Sequence, residues 1–191
     1  MTKVIPMRER ILDATAELLV EHGTQASMSK IASRAEVATG SLYNHFESKD
    51  VLIRAVYERL AEQVTALLVE GDDPSATPEQ RLDRYIDNYI DFIWNDPSRA
   101  ILFEYLSNVP LLPARDLIQS FRGSSDYIAE ILQDLRASGW LMDAEPFLMG
   151  GFIGGAIRNT LKWQRTYDRP LTDADRQQIK TMCLQSLRRM E

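Results

Sequence analysis

"SMSKIASRAEVATGSLYNHF", residues 27–46, is the stretch that decides how the rest of the chain is read. Met28, Ile31, Ala32 and Ala35 recur at helical spacing, the pattern breaks over Glu36, Val37 and Ala38, and Leu42 with Phe46 restarts it four residues apart. The spacing predicts two short helices, 28–34 and 39–46, joined by a tight turn. That is the outline of a helix-turn-helix, whose second helix can enter a DNA major groove and offer its N-terminal residues to base edges.

The polar residues of the second helix suit that role. Gly40 lets the backbone approach a phosphate, and the free N–H groups of the first turn form an anion site. Thr39, Ser41 and Asn44 are short neutral donors and acceptors, and an asparagine can address an adenine edge with two hydrogen bonds. Tyr43, His45 and Lys49 are spaced to reach phosphate oxygens and set the register. With Ser29 and Lys30 from the first helix, these residues are the candidate DNA contacts. The same cluster invites a catalytic reading, but His45 has no company: the only other histidine is His22 and the only cysteine is Cys183. Leu42 and Phe46 are expected inside, Tyr43 outside.

Working outward, 191 residues with 45% hydrophobic composition supply a core for one large or two small domains. A single cysteine forms no internal disulfide and fits a reducing cytoplasm. The N-terminus has no apolar secretion core. The longest weakly polar run, "FLMGGFIGGAI" at 147–157, falls well short of the roughly 20 residues that span a bilayer. The expectation is a cytoplasmic protein without a membrane segment. The net charge is −6, which argues against non-specific coating of nucleic acid through bulk charge. Residues 1–50 are themselves slightly acidic, so any anion they bind must be held by placed groups.

Everything else reads as helix. Thr77 and Gln80 flank Pro78 as a capping box, Asp96 precedes Pro97, and Ser48 and Thr172 stand as further caps. Gly23, Gly71 and Gly139 offer stops. Leu82, Tyr85, Ile86, Tyr89, Ile90, Ile93 and Trp94 form one apolar stripe; Val51, Leu52, Ala55, Val56, Leu60, Val64, Leu67 and Leu68 form another. Nine helices are expected, at 6–22, 28–34, 39–46, 49–70, 78–95, 97–108, 113–138, 144–166 and 173–190.

The run Ile31-Ala32, Val37, Gly40-Ser41-Leu42-Tyr43, His45-Phe46, Ser48-Lys49 and Leu52 resembles the DNA-binding signature of the TetR-type bacterial transcriptional regulators, over about Met7 to Leu52. The resemblance implies an all-α homodimer: a helix-turn-helix domain, 1–48, followed by a variable helical ligand-binding and dimerisation domain, 49–191, whose last two helices form a four-helix interface. It implies a DNA operator and a small-molecule effector as partners, no cofactor and no enzymatic activity. Two departures stand out. The family often has glycine where this chain has Glu36 and a Ser or Thr cap where it has Ala38, which leaves Thr39 as either the cap or a DNA contact.

Downstream, aromatics dominate: 14 of 16 lie beyond residue 50, enough to line a cavity for a flat or greasy molecule. Tyr85, Tyr89, Phe92, Phe103, Phe121 and Phe152, with Glu104 and Asn159, are the candidate pocket residues. Glu104 in "AILFEYL" has three readings: a counter-charge for a cationic ligand, a partner for an arginine such as Arg158, or a solvated side chain. "GGFIGGA" at 150–156 has neither nucleotide-loop spacing nor a preceding strand; its small residues four apart suit close helix packing or a pocket wall. Gly151, Gly155, Ile179, Cys183 and Leu187 are the candidate dimer contacts, with a redox role for Cys183 as the alternative. The expected function is a sequence-specific regulator, a repressor released from a near-palindromic operator by a largely apolar or aromatic ligand. The rival is a helical carrier of an apolar ligand that does not bind DNA.

Overall fold

The computed structural model describes residues 5–109 and 111–189. Among the described residues ten α-helices follow one another: α1 Met7–His22, α2 Met28–Arg34, α3 Thr39–His45, α4 Lys49–Leu68, α5 Pro78–Trp94, α6 Pro97–Asn108, α7 Ala114–Ser120, α8 Arg122–Ala137, α9 Pro146–Thr166 and α10 Asp173–Leu187. The only strand-like pairing among the described residues is an isolated antiparallel bridge, Leu141 with Arg188. The architecture is the all-α one expected, with one helix more. Residues 113–138 do not form one helix, because Phe121 adopts φ −92°, ψ 11° and separates α7 from α8. That ψ lies well off the helical value, in a segment, "SFRGSSD", rich in poor helix formers. The expected last helix also stops at Leu187; Met190 lies outside the described residues.

The written start and stop signals are used as local chemistry requires. Thr77 and Gln80 form a capping box, as do Thr172 and Asp175, and the Ser48 hydroxyl accepts from the Val51 N–H at 3.3 Å. Gly23, Gly71 and Gly139 all take positive φ.

The helices pack as two compact units, residues 1–62 with 97–120 and residues 63–96 with 121–191. In the first, Ile11, Leu12, Leu18, Leu19, Ile31, Leu42, Leu52, Tyr57 and Leu106 are essentially inaccessible. In the second, α5 is packed by α8, α9 and α10, burying Leu82, Tyr85, Ile86, Tyr89, Ile90 and Ile93 as the stripe requires, against Ile131, Leu132, Leu135, Ile153, Ile157 and Leu161. Ion pairs centred on the buried Arg81 and Lys180 brace this unit. The Arg81 guanidinium pairs both oxygens of Asp72, at 3.0 and 2.9 Å, and reaches Glu130 at 3.0 Å. On the opposite flank Arg176 and Lys180 of α10 bond an aspartate ladder on α5, with Arg176 on Asp91 at 2.6 Å and Lys180 on Asp83 at 2.8 Å. Packing therefore groups 97–120 with the N-terminal helices and does not follow the expected division at residue 48.

Candidate nucleic-acid interface

The turn between α2 and α3 is built by backbone bonds alone. The Val37 N–H bonds the Ala32 carbonyl at 3.0 Å and the Glu36 N–H bonds the Ser33 carbonyl at 3.2 Å, the two bonds of a Schellman motif. Its left-handed position is Glu36, at φ 55°. Gly139 after α8 and Asp168 after α9 occupy the same position, with Trp140 N–H on Leu135 and Arg169 N–H on Gln164 completing the motif. Glutamate is the worst suited of the three, since a Cβ in this conformation approaches the following carbonyl and glutamate lacks the short polar side chain that makes aspartate more tolerant there.

α3 begins at Thr39, and Ala38 in the cap position supplies no side-chain bond. Thr39 is thus the first helical residue and not the cap; the N–H groups of the first turn have no side-chain partner at the cap. Leu42 and Phe46 are buried, while Thr39, Gly40, Tyr43, Asn44 and His45 are exposed and Ser41 is half-exposed. Nothing lies within 4 Å of where a Cβ of Gly40 would sit, so the chain's own packing does not require a glycine there. On α2, Ser29 and Lys30 are exposed; the Ser29 hydroxyl pairs with that of Ser27 at 3.0 Å, and Ser27 caps the helix by accepting from the Lys30 N–H. Apart from Lys49 on α4, the candidate DNA residues thus fall on the outer sides of two adjoining short helices.

Two contacts fix these helices on α1. Arg34 bonds Glu17 at 2.9 Å and both oxygens of Glu21, at 3.0 and 2.9 Å; those hydrogen bonds hold the Glu21 carboxyl below its ordinary range. Arg8 lies over the Phe46 ring, 5.5 Å from its centroid. Lys49, at the start of α4, donates to the Thr24 carbonyl. The sequence gives no signal for that last contact, because its acceptor is backbone.

The downstream candidates divide. Tyr85, Tyr89 and Phe92 are brought together, with Tyr85 edge-on to Tyr89 at 5.9 Å and Tyr89 against Phe92 at 6.1 Å. The Arg158 guanidinium donates to the Tyr89 hydroxyl at 2.6 Å. A Cβ on Gly154 would stand 3.0 Å from that hydroxyl and 3.1 Å from Arg158 Nη1, so one glycine of "GGFIGGA" exists to admit this pair. Burial lifts the Tyr85 phenol far above its ordinary range. Phe121 is half-buried in the same unit, whereas half-buried Phe103 and Glu104 belong to the other. Phe152 is 55% exposed and Asn159 is exposed, so the two project from α9 away from the chain's interior. An open groove of about 600 Å³ beside α5 is lined by charged side chains, among them Asp73, Glu79, Asp83, Arg84 and Asp87, and not by the aromatic set.

The interface candidates split the other way. Ile179, Cys183 and Leu187 are buried within the single chain, because the inner face of α10 closes on α5 and α9; they belong to its own core and offer no surface to a partner. Burial raises the Cys183 thiol above its usual value, the reverse of a reactive thiolate. Gly151 and Gly155 do face open space. Around them α9 carries exposed Phe147, Leu148, Phe152 and Trp163, and α10 carries Met182. Among the described residues no helix is long and apolar enough to cross a membrane.

Comparison with known proteins bears on both parts. Residues 11–56 match the family model of bacterial regulatory proteins, tetR family. Over 157 residues the chain is 27% identical to the fatty acid metabolism regulator protein of Bacillus subtilis, covering 82% of this chain and 73% of that one. Identity rises to 38% with a helix-turn-helix regulator of Mycobacterium bovis, but over 76 residues, 40% of its length. Among solved structures, a tetR-family regulator from Shewanella sp. PV-4 superimposes with a TM-score of 0.88 at 20% identity, covering 97% of this chain and all of that one. The Bacillus subtilis regulator FadR, crystallised with stearoyl-CoA, gives 0.73 at 22% identity over 93% of this chain and 95% of that one.

Proposed function

We propose that the chain is a TetR-type bacterial transcriptional regulator, a reading supported by the match of residues 11–56 and by its relatives, and that its residues divide the work as follows. Residues 1–48 bind the operator and 49–191 carry effector binding and dimerisation. α3 enters the major groove: Thr39, Ser41 and Asn44 address base edges, while the Gly40 turn, Tyr43, His45 and Lys49, with Ser29 and Lys30 alongside, hold phosphates. Two copies put their α3 helices about 34–36 Å apart, one helical turn, on a near-palindromic site. The protein acts in the cytoplasm as a repressor.

The surface that joins the copies is the outer side of α9 and α10. Leu148, Gly151, Phe152, Gly155, Asn159 and Trp163 follow one another at helical spacing there, and large exposed apolar areas on a folded chain favour a partner. An isologous dimer buries this stripe twice.

The effector has an apolar body, seated against Tyr85, Tyr89, Phe92 and Phe121. A fatty acid metabolism regulator among the relatives, and a neighbour holding stearoyl-CoA, favour a long acyl chain over a compact aromatic. Tyr85, Tyr89 and Phe92 pack on one another without it, so an effector must part these rings. It thereby selects a conformation with a different separation of the two α3 helices, to the extent that it binds that conformation more tightly.

The observation that carries the DNA reading is the outward polar face of α3 within the family-matched segment. Selection from a random duplex pool tests it: a two-half-site sequence is expected, and stearoyl-CoA is expected to release it. A pool that shows no enriched sequence at low salt sinks the reading and leaves the carrier.

A further inference from the structure

Gly23, just after α1, sits at φ 58°, ψ −144°, a region that essentially only glycine enters. The space that its missing Cβ leaves is taken by Tyr105 of α6: a Cβ there would be 2.9 Å from the Tyr105 hydroxyl, 3.6 Å from Cζ and 3.8 Å from Cε2. The next residue is Thr24, whose carbonyl accepts from the Lys49 ammonium. α6 is in turn tied to α4, because the buried Tyr57 hydroxyl donates to the Leu106 carbonyl at 2.8 Å. Tyr57 stands eight residues, about two turns, beyond Lys49 on the same helix. The contacts close a ring: Lys49, Thr24, Gly23, Tyr105, the end of α6, Tyr57 and back along α4 to Lys49.

We propose that Tyr105 is a positioning residue for DNA binding: it seats the Gly23–Thr24 corner and so holds the Thr24 carbonyl that aims the Lys49 ammonium at a phosphate. The inference rests on the DNA-binding reading above. An ammonium has three donors; Thr24 engages one, and the others remain for phosphate oxygens. A lysine already fixed by a backbone carbonyl loses little further freedom when the phosphate arrives. Without the ring, the Gly23–Thr24 corner has no wedge against α6, and Lys49 is left as a mobile surface charge.

The test measures how affinity of the full chain for a duplex selected from a random pool depends on salt. One lost phosphate contact lowers the slope of log K against log[salt] by about 0.9 for each bound protomer. Lys49→Ala and Tyr105→Ala are each expected to lower it by that amount, and the double variant by no more than either. Tyr105→Phe keeps the ring edge against Gly23 and is expected to retain the parental slope, a distinction that a general loss of fold does not produce. Should Tyr105→Ala fail to fold, Gly23→Ala displaces the same ring from the other side and is expected to lower the slope equally, with a melting curve verifying that it is folded. A slope that responds to Lys49→Ala but not to the folded Tyr105→Ala or Gly23→Ala, or that falls by the sum in the double variant, overturns the inference alone. A slope indifferent to Lys49→Ala removes that lysine from the phosphate contacts and the inference with it. A pool that yields no bound duplex overturns the DNA-binding reading itself.

Discussion

Glu36→Gly is expected to make the protein more stable, although it removes a side chain. Glu36 holds the left-handed position of the turn between α2 and α3, at φ 55°, where a residue with a Cβ carries roughly 1–2 kcal/mol of strain. Glycine removes that strain and adds back about 0.4–1 kcal/mol through its freer unfolded chain. The net gain is centred on about 0.8 kcal/mol. At roughly 2–4 °C per kcal/mol for a chain of this length, the midpoint rises by about 1–4 °C. Gly139 is the built-in control: it takes the same position in the same motif, and nothing lies within 4 Å of its absent Cβ. Gly139→Ala therefore reports the backbone cost with no steric component and is expected to lower the midpoint by a similar amount. Thermal unfolding of the full chain at one fixed protein concentration measures both, since association shifts apparent stability. Glu36→Ala keeps the strain and loses only the charge, so it is expected to leave the midpoint nearly unchanged. A Glu36→Gly protein that melts at or below the parent refutes the reasoning. So does a Glu36→Ala protein stabilised as much as the glycine variant, which assigns the effect to charge. Removing the exposed carboxylate has a second expected result, tighter binding to any duplex, most marked at low salt.

Tyr43→Phe is expected to weaken binding to all duplexes alike, whereas Asn44→Ala relaxes preference at particular base pairs, at about 1–3 kcal/mol of discrimination; a uniform loss across operator variants would show that Asn44 only positions the helix. Arg81→Ala leaves Asp72 without its guanidinium and is expected to cost about 3 kcal/mol, the lower end for a broken buried pair, because Glu130 and Asp134 remain well solvated. The hydrogen bonds from Arg81 hold the Asp72 carboxyl below its ordinary value. That contribution is therefore complete above the unfolded-state pKa of about 3.9 and fades as pH falls through the lower folded-state value; acid unfolding curves of the parent and Arg81→Ala should begin to approach one another only below about pH 4 and meet below the folded-state value. Phe152→Glu puts a charge into the α9 stripe of both copies. At about 2 kcal/mol or more per copy, dissociation is expected to strengthen by roughly three orders of magnitude, read by light scattering; a dimer indifferent to the change rules out that surface. Point substitution is the cleaner probe, because deleting α10 strips Ile179, Cys183 and Leu187 from the chain's own core.

What the sequence determined by itself was local. Helix starts at Thr77 and Thr172, stops at Gly23, Gly71 and Gly139, the turn at Glu36 and the inward placement of Leu42 and Phe46 all follow from forces acting within a few residues: a side-chain oxygen facing a free N–H, a backbone conformation that disfavours a Cβ, a period of 3.6. The sequence also singled out small and apolar residues on α9 and α10 as candidate dimer contacts. It did not show which apolar face meets the chain's own core and which meets another molecule, since both look alike in sequence. Tertiary packing decided that: Ile179, Cys183 and Leu187 went inside, Phe152 and Asn159 outside, and of the paired glycines Gly154 was used against Tyr89 while Gly151 and Gly155 were left open. The grip of Arg34 on Glu17 and Glu21 and the Tyr105–Gly23–Thr24–Lys49 arrangement were likewise set only in the folded chain. They join residues far apart along the chain, and in the last case through a backbone carbonyl and a missing Cβ, which residue identity does not advertise.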